Sequence, residues 1–235
     1  MWKKSFPKVE MAENLKKAGL KVTIVELADH VIAPLDGDMA AEVHRYLRDQ
    51  GVELMLGKAV QSMEDKGGKL TLPLSEGEIE TDMVILSVGV RPDTALAQSA
   101  GLELNAKGAI VVNEHMQTSK EHIYAVGDAI EIVDFVTGKK GYVPLAGPAN
   151  SYKNTLGSSV LKIFDMTVAM TGVNERAAQA AGLDYDKVYT YSQSHASYYP
   201  GGHGISIKTL YEKGTGKILG AQLVGYDGVD KRCDV

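Results

Sequence analysis

Cysteine is almost absent from this sequence, since Cys233 is the only one in 235 residues. A single thiol cannot form a disulfide within one chain, and it cannot form a redox centre built from two cysteines. We interpret Cys233 as an incidental thiol. A reactive thiol is the alternative, because Lys231 and Arg232 adjoin it and an electropositive setting activates a thiolate.

Long apolar runs and a basic balance of charge are also lacking. No run approaches the ~20 residues that a membrane helix requires, and residues 1–10 have no apolar core of the kind found in a secretory signal. The formal net charge of −5 provides no basic surface for nucleic acid. We therefore expect a cytoplasmic protein with neither a membrane span nor a nucleic-acid partner.

Composition is otherwise that of a globular chain, with 44% hydrophobic and 23% charged residues, which suits one large or two modest domains. Histidine occurs six times but never at a metal-ligand spacing such as His-Glu-x-x-His, so we expect no metal site. The six residues are His30, His44, His115, His122, His195 and His203.

The most informative stretch is Ile123–Ala129, which reads Ile-Tyr-Ala-Val-Gly-Asp-Ala. Its apolar run predicts a buried strand of a parallel sheet, and Gly127 allows a tight turn and a close ligand approach. Asp128 would then lie at the carboxyl end of the strand, where open α/β sheets bind ligands. The alternative is an aspartate that caps a following helix.

Two flanking stretches resemble parts of a known family. Met83–Asp93 is a second apolar run that ends in a glycine, followed by Val-Arg-Pro-Asp, and Gly141–Asn150 reads Gly-Tyr-Val-Pro-Leu-Ala-Gly-Pro-Ala-Asn. Together with Ile123–Ala129 they resemble the flavin-dependent pyridine nucleotide-disulfide oxidoreductases, in particular the branch of CoA-disulfide reductase, NADH oxidase and NADH peroxidase. The resemblance runs from about Val9 to Val235.

That resemblance implies an α/β fold in three parts. A partial Rossmann-like NAD-binding domain would span residues 9–112, and a remnant of an FAD-binding domain would span residues 113–150. A truncated α+β dimerisation domain would span residues 151–235. Its sheet is expected to form separately and to leave one apolar face open, because the helices that complete the dimer interface in the family lie beyond Val235.

The resemblance also implies the chemistry of the parent enzymes. Hydride passes from NADH to FAD, and electrons then pass to a small disulfide, oxygen or peroxide. The expected partner is a second copy of the chain or a related full-length subunit. The implied cofactor-binding residues include Gly89 near the nicotinamide, Asp128 on the ribityl chain of FAD, and two contacts at the flavin edge. The whole set is Glu10, Glu26, Gly89, Gly127, Asp128, Leu145 and Ala146.

Glu26 carries the cofactor preference. It ends the predicted strand 20–25, and an acidic residue at this point of a dinucleotide-binding unit binds the adenosine ribose and disfavours a 2′-phosphate. NADH is therefore expected rather than NADPH. The alternative is a solvated loop carboxylate.

The sequence departs from the family at several points. Residues 1–8 contain no glycine, Lys8 stands where the third glycine of the phosphate-binding turn is expected, and Pro7 lacks an amide donor. The redox-active cysteine, the first FAD segment and the flavin-contacting helix after Asn150 also have no counterpart. We assign no catalytic residue and expect this chain alone to be inactive. A non-catalytic remnant or interaction module that binds little nucleotide is the alternative.

Periodicity predicts the remaining elements. One set of side chains is expected to share a core: Leu15, Ile24, Val43, Leu47, Ile85 and Leu86. Residues 195–200 form an aromatic cluster that either lines a substrate channel or packs. Helices are expected at 9–18, 38–50 and 175–181, strands at 20–25, 52–56, 81–88, 123–126, 187–193, 204–213 and 217–226, and hairpins at 60–74 and 130–142.

Overall fold

The computed structural model describes residues 6–89, 91–141 and 156–234. The predictions for Leu145, Ala146 and the junction after Asn150 lie outside these residues. The helices are α1 (Phe6–Lys17), α2 (Gly37–Asp49), α3 (Ala95–Ser99), α4 (Glu175–Ala181) and α5 (Val229–Asp234). The strands are β1 (Val22–Glu26), β2 (Val52–Leu56), β3 (Glu64–Asp65), β4 (Leu70–Pro73), β5 (Glu78–Thr81), β6 (Ile132–Val133), β7 (Lys140–Gly141), β8 (Ser159–Ile163), β9 (Met166–Gly172), β10 (Tyr185–Gln193), β11 (Gly204–Glu212) and β12 (Ile218–Gly225).

A parallel βαβ unit forms near the start of the chain, as predicted. Strands β1 and β2 pair in parallel from Val22 opposite Val52 to Glu26 opposite Leu56, with α2 as the crossover. Helix α2 buries Met39, Val43 and Leu47, and these residues share one face because they recur at the helical period.

The second unit is a five-stranded antiparallel sheet with the order β10-β11-β12-β9-β8. The predicted strands 187–193, 204–213 and 217–226 correspond to β10, β11 and β12. Asn174 caps α4, because its side chain accepts a hydrogen bond from the Ala177 amide at 2.9 Å, and Gly182 ends that helix at φ 72°. Strands β8 and β9 were not predicted.

Helices α1 and α2 lie between the two sheets, so the expectation of a separate C-terminal sheet is wrong. Part of the expected apolar opening is present, because Val188 and Tyr191 of β10 are 46% and 78% exposed. One buried cluster joins Val9 and Val43 from the helices to Ile163, Val168 and Val224 from the five-stranded sheet. Both helices therefore bury side chains against β1 and β2 on one side and against the five-stranded sheet on the other. The physical reason is that apolar side chains of α1 and α2 cover one face of the C-terminal sheet, which would otherwise be exposed to water.

The apolar run Met83–Gly89 does not form the predicted buried strand. Strand β5 ends at Thr81, residues 83–89 have no regular structure, and Leu86 and Val88 are 66% and 91% exposed. A strand of a doubly wound sheet needs hydrogen-bonded neighbours, and the usual strand order places the first strand of the domain between the second and the fourth. Among the described residues β1 pairs only with β2, so this run has no backbone partner.

The predicted core is correspondingly half right. Ile24, Val43 and Leu47 are buried and Leu15 packs against them, whereas Ile85 and Leu86 are exposed. The prediction failed for the last two because their burial depends on a strand pairing that the described residues do not make.

The predicted strand at Ile123–Val126 is wrong for the same reason. Tyr124 forms one isolated bridge with Gln117 and is 61% exposed, and Val126 is exposed as well. No strand of the described ranges pairs with this run, so its apolar side chains lack a sheet to pack into. The two predicted hairpins form at β3–β4 and β6–β7. No helix in the described ranges has the length and apolar character needed to cross a membrane.

A buried charge cluster joins the two units. The Lys208 side chain of β11 is fully buried, and its Nζ donates to Asp36 Oδ2 at 2.9 Å, Asp38 Oδ2 at 2.8 Å and Glu175 Oε1 at 2.5 Å. Asp36 and Asp38 lie at the start of α2, and Glu175 begins α4. One cation therefore ties the βαβ unit to the C-terminal sheet.

The cluster shifts the titration of its members. Burial alone would raise the pKa of Asp38 and of Glu175, but hydrogen bonds from Lys208 and from Tyr189, Lys187 and Tyr185 hold both pKa values below their usual range. Burial alone would lower the pKa of Lys208, but its hydrogen bonds to the three carboxylates raise it well above its usual value.

We predict that the stability of the fold is nearly constant over a range of pH and falls where the groups of this cluster titrate. Because the folded pKa values of Asp38 and Glu175 lie below their ordinary values of 3.8 and 4.5, their contribution is present above those values and is lost as the pH falls through the folded ones. The Lys208 contribution is complete below 10.5 and is lost as the pH rises through its raised pKa. Melting temperature measured against pH should be nearly flat from about pH 7 to 9. Below the ordinary His44 value of 6.5 it should begin to fall, because burial lowers the pKa of that ring. In Lys208→Met the fall of the melting temperature at acid pH should become shallower. An unchanged fall would refute the attribution of this pH dependence to the Lys208 cluster.

We also predict that the chain self-associates through its exposed apolar run. An exposed, unpaired apolar strand favours association. Light scattering should show large species, and Leu86→Glu with Val88→Glu should reduce them, whereas Leu27→Glu, at another exposed leucine, should not. A sharp, stable monomer with cooperative unfolding in the unmodified chain would contradict this prediction.

Candidate functional site

The ribose-binding candidate Glu26 lies at the carboxyl end of β1, as predicted. Its Oε2 pairs with the Lys8 ammonium of α1, and its Oε1 accepts a hydrogen bond from the Ala28 amide at 3.2 Å. The Lys8 and Glu26 side chains are 18% and 19% exposed. Glu26 is therefore no solvated loop carboxylate, and the alternative interpretation of it is wrong.

Lys8 pairs with the carboxylate that the sequence predicts as the ribose-binding group. A ribose bound at Glu26 donates its hydroxyls to the carboxylate, and the Lys8 ammonium already satisfies one carboxylate oxygen. Burial lowers the pKa of Lys8, because its side chain is largely withdrawn from water. The residues present thus fit an adenosine ribose only if Lys8 moves away from Glu26.

The start of α1 is the second part of a dinucleotide site. Pyrophosphate binds at a helix N-terminus through backbone amides that a glycine-rich turn brings close. Here the helix begins at Phe6 with Pro7 in its first turn, and proline has no amide hydrogen to donate. The sequence before α1 contains no glycine, so this end of the helix does not fit a pyrophosphate well.

His44 is a structural residue of this region. It is buried on α2, and its Nε2 accepts a hydrogen bond from the Val31 amide at 3.2 Å. Burial lowers the pKa of His44, which keeps the ring neutral and able to accept that bond. No group of three or more His, Cys, Asp or Glu residues suited to a metal lies within residues 6–89, 91–141 and 156–234.

Gly89 and Gly127 both adopt the left-handed conformation, with φ of 108° and 89°. A Cβ placed on either would meet no atom within 4 Å, so the space beside each backbone is open. Asp128 is half-buried. In the described part of the chain no hydrogen bond links these three residues to Lys8 or Glu26, and their cofactor roles stay predictions.

The remaining candidates are placed but not tested. Glu10 is exposed on α1, and its carbonyl accepts a hydrogen bond from the Asn14 side chain at 2.8 Å. Leu145 and Ala146 lie outside the described residues. Cys233 packs against the buried cluster of Ala169, Ile205, Leu223 and Val229, an apolar setting that favours the incidental interpretation.

The aromatic cluster is exposed rather than part of a core. The rings of Tyr198 and Tyr199 lie 4.9 Å apart, and His195 packs edge-on against Tyr199 at 6.2 Å. The lining of a substrate channel by this segment stays a prediction.

Sequence reasoning missed the Lys8–Glu26 pair and the Lys208 cluster. The one available signal for Lys208 was a lysine among apolar and small residues in the middle of a predicted strand. No spacing rule connects it to Asp36 or Glu175, because those partners come from distant elements.

The comparisons with known proteins cover the whole described architecture. The family model for pyridine nucleotide-disulphide oxidoreductases matches residues 9–187, and the model for their dimerisation domain matches residues 158–232. An NADH oxidase from Methanocaldococcus jannaschii is 37% identical over 96% of this chain and 54% of that protein. A coenzyme A disulfide reductase from Staphylococcus aureus is 30% identical over 97% of this chain and 54% of that protein.

A solved structure shows the same arrangement. The reduced Bacillus anthracis protein CoADR-RHD superposes with a TM-score of 0.92 and 46% identity, over 99% of this chain and 44% of that chain. The chain spans about half the length of the curated relatives it matches. The family matches, together with the parallel βαβ unit whose first strand ends in Glu26, show that the chain belongs to the pyridine nucleotide-disulphide oxidoreductases.

Proposed function

We propose that this chain supplies the NADH-binding and dimerisation parts of a flavin-dependent oxidoreductase of the NADH oxidase and CoA-disulfide reductase type. The observation that carries the proposal is the position of Glu26, at the carboxyl end of a parallel strand that leads into a crossover helix. The names of the relatives support the reaction, in which NADH reduces the enzyme and a disulfide or oxygen takes up the electrons.

The residues of this chain would act by binding and orienting the cofactors. Glu26 would accept the ribose hydroxyls of NADH and disfavour the 2′-phosphate of NADPH. Gly89 would allow the nicotinamide to approach the backbone, and Gly127 with Asp128 would hold the ribityl chain of FAD. The flavin supplies the hydride-accepting chemistry when it is bound. The electron acceptor is a small disulfide, oxygen or peroxide, and the working unit is a homodimer or a pair with a related full-length subunit.

A second function is favoured by the contact between Lys8 and Glu26. Because this ion pair occupies the ribose carboxylate, the chain could act mainly as a dimerisation or interaction module with little affinity for nucleotide. The two functions predict different responses to removal of the Lys8 charge.

We predict that NADH binds weakly, in part because of Pro7 at the start of α1 and in part because of the Lys8–Glu26 ion pair. Calorimetric titration should give a dissociation constant weaker than about 10 μM, equivalent to about −7 kcal/mol. Lys8→Ala should tighten binding by about fivefold, because a partly exposed ion pair to be displaced is worth about 1 kcal/mol. Adding Glu26→Ala to this variant should remove the gain.

Lys17→Ala is the matched control, since Lys17 lies on the same helix and pairs with Glu13 rather than with Glu26. It should leave the affinity unchanged. An NADH affinity that changes in neither the Lys8 nor the Glu26 variant would contradict the proposed ribose site. It would favour the function as an interaction module.

We further predict that the purified chain is colourless and does not reduce disulfides with NADH. Within the chain no pair of cysteines can form a redox centre, because Cys233 is alone. Absorption spectroscopy after incubation with FAD should show no retained flavin. A yellow preparation with a flavin spectrum would overturn this prediction.

A further inference from the structure

The loop of residues 27–35 follows Glu26 and is held largely by the dimerisation domain. Arg176 Nη2 donates to the Ala33 carbonyl at 3.1 Å, and Asn174 Nδ2 donates to the Pro34 carbonyl at 3.2 Å. Both side chains belong to the first turn of α4 and its cap. Two exposed carbonyls of the nucleotide side are therefore fixed by donors from the other unit.

Asp36 fixes the end of this loop. Its amide donates to Gln222 Oε1 at 2.7 Å, and Gln222 Nε2 donates back to Asp36 Oδ2 at 2.6 Å. The Glu175 amide also donates to Asp36 Oδ1 at 3.1 Å. Asp36 and Gln222 are both buried, so these bonds are shielded from competition by water.

Lys208 makes this arrangement possible. Asp36, Asp38 and Glu175 meet around a single ammonium, and without that charge the three carboxylates would repel one another in a poorly solvated site. Lys208 thus holds the last residue of the loop, the start of α2 and the start of α4 together.

The loop itself is strained. Ile32 is buried and has φ of 60°, and a β-branched residue in the left-handed region is a genuine outlier. Such a conformation persists only where the surroundings over-determine it. The surroundings here are α2, through His44, and the donors of the dimerisation domain.

The loop is also connected to the ribose candidate. The Ala28 amide donates to Glu26 Oε1 at 3.2 Å, and the Ala28 carbonyl accepts from the Gly57 amide at 2.9 Å. A loop released at Ala33, Pro34 and Asp36 would keep these two bonds, the Val31–His44 bond and the packing of its apolar side chains in the helix core.

We propose that the dimerisation domain sets the shape of the ribose-binding loop through Lys208, with Asp36 and Arg176 as further positioning residues. The nucleotide part of this inference rests on the proposed function, in which NADH binds at Glu26. The control of the loop by the C-terminal part of the chain rests only on the hydrogen bonds described above and does not require NADH binding.

Hydrogen exchange of the full chain tests the control of the loop. In Lys208→Met the amides of Val31 and Asp36 should exchange at least about tenfold faster, because the opening of the loop becomes easier. The β2 amides of Val52–Leu56 should keep their rates. Lys213→Met is the matched control, since Lys213 forms a surface pair with Asp184, and it should leave the loop unchanged.

Arg176→Met provides a variant that keeps the buried cluster intact. It removes one donor to Ala33 from an exposed side chain, so the fold should persist while loop exchange rises by a smaller factor, and Arg176→Lys should recover part of the protection. This variant decides the question if Lys208→Met does not fold. Unchanged loop exchange in Arg176→Met and in a folded Lys208→Met would overturn the proposal.

NADH titration separates this inference from the proposed function. In the Lys8→Ala background, Arg176→Met should weaken NADH binding about threefold or more, whereas Lys213→Met should not. If loop exchange becomes faster but no variant binds NADH, the proposed ribose site is overturned. The control of the loop by the dimerisation domain is still supported by that result. Unchanged affinity despite a loosened loop would overturn the positioning role.

Discussion

The arrangement of the two units depends on one buried ammonium. Lys208 has no exposed surface, and its three hydrogen-bonded carboxylates come from two helix starts that are distant in sequence. Removing one member of a buried ionic cluster costs about 3–5 kcal/mol, because the remaining charges are left uncompensated. A cluster of this kind contributes little net stability compared with apolar packing, but it tolerates very few alternative arrangements. Its main effect is to select one relation between α2, α4 and β11.

Apolar packing supplies most of the stability of the fold, whereas the Lys208 cluster selects how the packed elements are arranged. Helices α1 and α2 each present side chains to β1–β2 and to the five-stranded sheet, so they form the middle layer of a three-layer core. This explains how a two-stranded parallel sheet, which is rarely stable by itself, persists in this chain. The helices are held from the opposite side by Ile163, Val168 and Val224. The βαβ unit is therefore stabilised by the C-terminal sheet, which follows it in the chain only after a long intervening segment.

Local patterns were sufficient for the elements whose partners are close in sequence. The helix at 38–50, the helix at 175–181 and the strands at 204–213 and 217–226 were all predicted, because each depends on residues within a few positions of one another. The runs at Met83–Gly89 and Ile123–Val126 have equally clear apolar patterns, yet burial of such a run depends on neighbouring strands that no local pattern reports. Lys208 shows the converse limit of local patterns, since it is buried although its sequence neighbours do not predict a buried charge. Its sequence neighbours predict an ordinary strand, and its function in the fold comes from carboxylates on α2 and α4.

The Lys8–Glu26 pair lies at the end of β1, where the proposed function places the ribose of NADH. Glu26 keeps its place at the end of β1, because that place is fixed by the βαβ geometry rather than by the ligand. Position 8 lies on the facing side of α1, where a glycine would leave room for a ligand and a close helix approach. A lysine there is long enough to reach the carboxylate, although burial lowers the pKa of its ammonium. The same backbone geometry that would present Glu26 to a ribose presents it to Lys8, so under the proposed function a nucleotide would have to replace Lys8 as the partner of Glu26.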